Sequence, residues 1–132
     1  MDTVPQRIAL IVDDEPALRH VLARCLQRRG FVVLEAADNA AAMWYLEQHR
    51  PTIITTDMYR AGGTGIEFIT QVRAHADLQQ VPILFLSGSA SAEVRLAAKQ
   101  AGAFADMGKP FTLEALVAGI ATVIPLDPPN IL

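Results

Sequence analysis

Short apolar runs alternate with amphipathic helical stripes five times between Arg7 and Ile124, and this alternation most constrains how the chain can fold. The first run, Arg7-Ile-Ala-Leu-Ile-Val12, stops abruptly at Asp13-Asp14, as a strand buried on both faces does. From Pro16 to Arg29, residues Leu18, Val21, Leu22, Cys25 and Leu26 recur at helical spacing. Arg19, Arg24 and Arg28 lie outside that stripe, and Gly30 holds the stop position. This is the pattern of a helix that packs one face on a sheet.

The unit then repeats. Phe31 to Glu35 reads as a strand, and Asp38 or Asn39 as the cap of a helix reaching about His49, with Pro51 beyond it. Thr52 to Thr56 is again cut off by an acid, Asp57. A glycine-rich turn, Ala61-Gly-Gly-Thr-Gly65, leads into the stripe Phe68, Ile69 and Val72. Val81 to Leu86 forms a fourth strand, closed by Ser87-Gly88-Ser89. Val94, Ala97, Ala98 and Ala101 mark a helix that stops at Gly102, and Ala103 to Met107 a fifth strand. Leu113, Leu116, Val117 and Ile120 mark a last helix capped by Thr112. Strict alternation of this kind predicts an α/β fold, one doubly wound domain with a parallel sheet and helices on both faces. It occupies residues 1–124, followed by a Pro-rich C-terminal tail, 125–132, whose three prolines give no packing signal.

Composition removes several function classes. The 132 residues suit one domain and leave no room for a separate output domain, so any output is expected to be protein binding. A net charge of -3 lacks the basic footprint of a nucleic-acid binder. No apolar run approaches the roughly 18 residues of a membrane span. Cys25, the single cysteine, cannot form an internal disulfide and reads as a core residue. No secretory leader pattern opens the chain, and a reducing cytoplasm is expected. His20, His49 and His75 share no metal-ligand spacing and read as surface residues. Arg7, Arg24, Arg28 and Arg29 read as solvated charges, and Met43, Trp44 and Leu46 as packing residues.

In doubly wound sheets the ligand site lies outside the carboxyl ends of the strands. The polar residues at those ends are Asp13, Asp14, Asp57 and Ser87, with Lys109 just past the fifth strand. Three converging carboxylates repel one another and call for a hard divalent cation such as Mg²⁺. A hydroxyl and an ammonium beside them suit the remaining oxygens of a phosphoryl group, whose transfer is mostly positioning and charge stabilisation. Asp57, between the acidic pair and the Ser and Lys, takes the nucleophile's place. Taken singly, each residue has a plainer reading. Asp13-Asp14 suits a helix N-terminus, Asp57 a turn, Ser87 a helix cap and Lys109 a solvated loop.

Their order carries more than any one of them. Ile11-Val-Asp-Asp-Glu-Pro16, Asp57 with Gly65 eight residues on, Leu86-Ser-Gly88 and Gly108-Lys-Pro-Phe111 fall at four successive strand ends. With these motifs the chain resembles the receiver domain of two-component response regulators, over about Arg7 to Ile124. The resemblance implies a flavodoxin-like (βα)5 fold with strand order 2-1-3-4-5, the order of chemotaxis receivers. It also implies a set of roles. Asp57 is the phosphoacceptor, and Asp13, Asp14, Asp57 and the Tyr59 backbone carbonyl hold Mg²⁺, Asp13 largely through water. Ser87 and Lys109 bind the phosphoryl group, Lys109 usually ahead of a cis bond to Pro110. The implied partners are a sensor histidine kinase or histidine phosphotransfer protein and an unidentified output protein, for a monomer or weak dimer.

The sequence departs from that family at several points. Three residues before Lys109, where an aromatic usually serves as a switch, stands Asp106, which is expected to stay at the surface because burial would cost it its hydration. Phe104 is a nearby aromatic on the same strand. Ala61 replaces a common proline and Thr64 a frequent aspartate, while Tyr59 and Ser89 border the expected approach to the phosphoryl group. Three functions compete: a phosphorylation-controlled receiver, a pseudo-receiver that binds partners without phosphorylation, and a Mg²⁺-dependent phosphohydrolase. The last usually carries Asp-x-Asp after its first strand, whereas Asp13 and Asp14 are contiguous.

Overall fold

Alternate side chains of a strand point to opposite faces, so a run that is apolar throughout needs cover on both sides. The computed structural model, which describes residues 6–60, 62–88 and 91–129, supplies that cover. Along β1 (Ile8–Val12), Leu10 and Val12 enter one core while Ala9 and Ile11 enter another. The remaining elements are α1 (Pro16–Gln27), β2 (Val32–Ala36), α2 (Asn39–Leu46), β3 (Ile53–Asp57), β4 (Tyr59–Arg60), β5 (Gly63–Thr64), α3 (Gly65–Arg73), β6 (Ile83–Ser87), α4 (Ala92–Ala101), β7 (Ala105–Gly108) and α5 (Leu113–Ala121).

The main sheet is parallel, in the order β2-β1-β3-β6-β7. Counting its five strands alone, this is the expected 2-1-3-4-5. Phe68, Ile69 and Val72 of α3, Ala42 of α2 and Ala98 of α4 fill the core on one face, against Ile54, Ile83 and Phe85. Leu22 and Leu26 of α1 and Leu116 and Ile120 of α5 fill the other, against Ile53, Leu84 and Leu86.

Polar caps start four of the helices. Asp38 Oδ1 accepts from Ala41 N (2.8 Å), Ser91 Oγ from Val94 N (3.2 Å) and Thr112 Oγ1 from Ala115 N (3.0 Å). Thr64 and Glu67 form a reciprocal capping box at 3.1 Å each way. Each cap of this kind contributes about 1 kcal/mol. Since Ser91 begins α4, Ser87 is released from the capping role.

Several expectations need correction. The glycine-rich turn contains a two-residue antiparallel bridge, Tyr59 to Thr64 and Arg60 to Gly63, that folds the chain back beneath the end of β3. The second helix closes at Leu46 rather than about His49, and strands β6 and β7 run past their apolar residues to Ser87 and Gly108. Met43 and Leu46 pack on the core, whereas Trp44 is exposed. Cys25 is half-buried and lines a cavity of about 620 Å³ between α1 and α5, instead of sitting in the core.

The tail also differs from its expected loose state as far as Pro129. Arg7 donates to Pro125 O (2.6 Å), Arg29 donates to Asp127 O (2.9 Å), and Leu126 packs against the core. Arg7 and Arg29 are thus half-buried straps rather than solvated charges; the Arg7 guanidinium also lies 4.7 Å from the centre of the Phe31 ring.

Candidate functional site

Parallel strands that start in register also end together, and here they end on polar residues. Val12 pairs with Ala36 and Thr56, Asp57 with Leu86, and Ser87 with Gly108. Asp13, Asp14, Asp57, Met58, Tyr59, Ser87 and Lys109 consequently line one crevice of about 240 Å³. One carboxylate oxygen from each of Asp13, Asp14 and Asp57 lies within 4.8 Å of the others.

Asp13 is 1% exposed, accepts from Glu15 N through Oδ1 (2.9 Å) and pairs through Oδ2 with Lys109 Nζ (3.0 Å). Asp14 is exposed at the mouth, so the crevice reaches solvent on that side. Asp57 is buried at the end of the central strand. Its burial first, then the negative charge of Asp13, push its carboxyl up from 3.8 to about 6, while Arg60 and Lys109 pull the other way. The residual excess of negative charge, and a donor set of hard carboxylate oxygens with no His or Cys among the clustered residues, fit a small divalent cation.

Gly65 is required by contact. It donates its N–H to Met58 O (2.7 Å), and a Cβ at this position would overlap the Asp57 carbonyl oxygen. Lys109 is held by its own backbone N–H, which donates to Ser87 O (2.7 Å), and is followed by a cis bond to Pro110. Tyr59 lines the crevice and is 63% exposed, while Ser89 and Ala61 lie outside the described residues. Asp106 stays at the surface as expected, 3.6 Å from Arg95 Nε, and Phe104 is exposed under the Arg73 guanidinium.

Sequence reasoning misses Arg60. Its side chain is 0% exposed and pairs with Asp57 Oδ1. Arg60 Nη1 also donates to Thr56 Oγ1 (2.8 Å) and Asp57 O (2.9 Å), and Nε donates to Asn39 Oδ1 (2.7 Å). In sequence it reads as a loop charge. The available signal is an arginine three residues past a strand-terminal acid, with Gly62 and Gly63 just beyond to let the chain turn back. Both glycines have positive φ, +85° and +134°.

An acidic cluster, buried at Asp13 and Asp57, with a hydroxyl and an ammonium at the carboxyl edge of a doubly wound parallel sheet fits the phosphoacceptor class of flavodoxin-like domains. Comparison with known proteins agrees. Residues 9–121 match the family described as the response regulator receiver domain. The chain is 31% identical to the phosphate regulon transcriptional regulatory protein PhoB of Escherichia coli over 118 residues, 89% of this chain and 52% of that protein. It is 32% identical to response regulator Rre1 of Synechocystis over 115 residues, 84% of this chain and 50% of that one. The chain thus spans about half the length of these relatives. Chemotaxis response regulator CheY4 of Vibrio cholerae superposes with a TM-score of 0.85 at 31% identity, covering 90% of this chain and 99% of CheY4. A Burkholderia pseudomallei response regulator solved with a phosphorylated aspartic acid, a calcium ion and citrate is 27% identical, with a TM-score of 0.79 over 86% of this chain and 66% of that one. This chain belongs to the response regulator receiver family of two-component signalling. Among its described residues, no helix is long and apolar enough to cross a membrane.

Proposed function

We propose that Asp57 accepts a phosphoryl group from a phosphohistidine on a sensor histidine kinase or histidine phosphotransfer protein, with Mg²⁺ held by Asp13, Asp14, Asp57 and the Tyr59 backbone carbonyl. The observation that carries this reading is the convergence of three carboxylates within 4.8 Å at the end of the central strand, with Lys109 and Ser87 on the same crevice. The Burkholderia relative, solved with a phosphorylated aspartate and a calcium ion, supports it.

In the transfer, a carboxylate oxygen of Asp57 forms a bond to phosphorus as the phosphorus–nitrogen bond breaks. The bonding pair returns to the imidazole nitrogen, and an acyl phosphate is left on Asp57. When bound, Mg²⁺ supplies positive charge to the transferring oxygens. The Lys109 ammonium, with a side chain only 21% exposed, turns from Asp13 toward the new phosphoryl oxygens, and the Ser87 hydroxyl donates to one of them. The domain is a phosphoacceptor that loses its phosphate by autodephosphorylation, and it turns over no separate substrate.

The added charge biases the face formed by α4, β7 and α5 toward an output protein. We assign residues 1–124 to the receiver unit and 125–132 to an appended segment, in a cytoplasmic monomer or weak dimer. A second reading, a phosphorylation-independent pseudo-receiver, draws support from Asp106 at the usual switch position, where the side chain is solvated.

The deciding experiment incubates the protein with Mg²⁺ and a small acyl or amido phosphate donor, then reads intact mass for wild type and Asp57→Asn. A phosphate adduct in wild type that disappears in the variant supports the receiver. A folded wild type without an adduct supports the pseudo-receiver.

A further inference from the structure

A guanidinium withdrawn from water keeps its charge, since arginine does not deprotonate in proteins, and that charge is not screened by mobile ions as a surface charge is. Arg60 is in this position. Nη1 points at Asp57 Oδ1 and is anchored by Thr56 Oγ1 and the Asp57 carbonyl, and Nε by Asn39 Oδ1 at the start of α2. The Phe68 ring lies 5.5 Å from the guanidinium carbon, and Nη2 is buried without a hydrogen-bond partner among the described residues. Such a side chain is built in rather than adventitious: a buried donor left unpartnered costs free energy, and β3, α2 and α3 converge on the group that bears it.

We infer that Arg60 is a resident counter-cation of the acceptor site, competing with a divalent cation for Asp57 and setting the metal affinity of the unphosphorylated domain low. The charges around the crevice make the case. Asp13, Asp14 and Asp57 carry three negative charges when ionised; Lys109 offsets one and Arg60 a second. An incoming cation therefore meets a net charge of one where it would otherwise meet two, and it finds one oxygen of Asp57 already taken. Lys109 can leave Asp13 by swinging to solvent, but Arg60, with no exposed side-chain surface, has nowhere to go. Its opposition persists when salt is added. The same contacts give Asp57 a fixed orientation before any metal arrives, which makes Arg60 a positioning residue as well as a competitor.

The inference rests on the Mg²⁺ site proposed above, and its test separates the two. Mg²⁺ binding is measured by titration calorimetry on the full chain for wild type, Arg60→Gln, Arg60→Met and Arg60→Lys, with far-UV circular dichroism to confirm folding. Gln keeps a donor without the charge, Met keeps apolar volume, and Lys keeps the charge. Removing a buried unit charge beside the ligand set should raise Mg²⁺ affinity about tenfold or more in whichever neutral variant folds. Lys should stay near wild type, the gain should survive high KCl, and it should vanish when Asp57→Asn is added, as a coupled pair requires. Equal or weaker Mg²⁺ binding in a folded neutral variant overturns the inference and leaves the metal site standing. If neither neutral variant folds, a gain in affinity for Lys equal to that expected for a neutral side chain overturns it. Absence of Mg²⁺ binding in every protein overturns the metal site and the inference together.

Discussion

Lys109 Nζ lies 3.0 Å from Asp13 Oδ2, so the loop after β7 is tied to the end of β1. Asp13 is almost fully buried and Lys109 is its cationic partner. Truncating Lys109 to Ala leaves a buried carboxylate without that partner and should lower stability by about 1–3 kcal/mol. Urea unfolding of Lys109→Ala checks this, and a midpoint equal to wild type refutes it.

Asp57 links stability to pH. Its folded-state value of about 6 lies above the ordinary 3.8, so between the two the folded state holds a proton that the unfolded state has released. Stability therefore falls as pH rises through that window, and the cost of ionising a buried group beside Asp13 is fully present above it, on the order of 1–3 kcal/mol. In metal-free buffer, the stability difference between Asp57→Asn and wild type should move progressively in the variant's favour from pH 4 to neutrality, and Mg²⁺ should oppose that trend. Unfolding curves that stay parallel across this range contradict the electrostatics described for Asp13, Arg60 and Lys109.

Gly65→Ala tests the close approach of α3 to the acceptor strand. The added methyl meets the Asp57 carbonyl, a backbone atom that cannot rotate away, so either the helix or the strand end must shift. A loss of about 2 kcal/mol or more is expected in thermal or urea unfolding. A drop in phosphorylation rate should accompany it, because the shift moves Asp57 itself.

Tyr59 separates function from stability. Tyr59 is 63% exposed at the lip of the crevice, so Tyr59→Ala should change stability by no more than about 0.5 kcal/mol. If the ring obstructs the water that attacks the acyl phosphate in line, the phosphorylated form of the variant should decay faster, followed by loss of the adduct in intact-mass time courses. An unchanged decay rate removes the shielding role.

The legible part of this fold was its periodicity. Runs such as Ile8 to Val12 and Ile83 to Leu86 are apolar on both faces, which only a covered parallel strand explains, and the polar residues that interrupt them fall at one edge by geometry. The convergence of Asp13, Asp14, Asp57, Ser87 and Lys109 was legible for the same reason, and the structure brings all five to one crevice. Arg60 was not. A charge in a short loop gives no periodic signal, and its burial depends on a two-residue bridge that returns the chain under β3. The tail was misread for a related reason. Prolines signal the absence of regular structure, yet backbone carbonyls of Pro125 and Asp127 still serve as acceptors for Arg7 and Arg29, and Leu126 still has apolar surface to bury.

The two cations of the crevice differ in what they can do when the charge on Asp57 changes. Arg60 is clamped on all sides, a fixed electrode in the wall of the site; Lys109 is a hinged one, partly in water and mounted beside β7. New negative charge at Asp57, as proposed, would find only Lys109 free to follow it. Lys109 follows β7, the strand that carries Asp106 in place of the usual aromatic, with Asp106 paired at the surface to Arg95 of α4. At the position where the family usually has an aromatic ring, β7 of this chain therefore carries an exposed, salt-sensitive contact to α4.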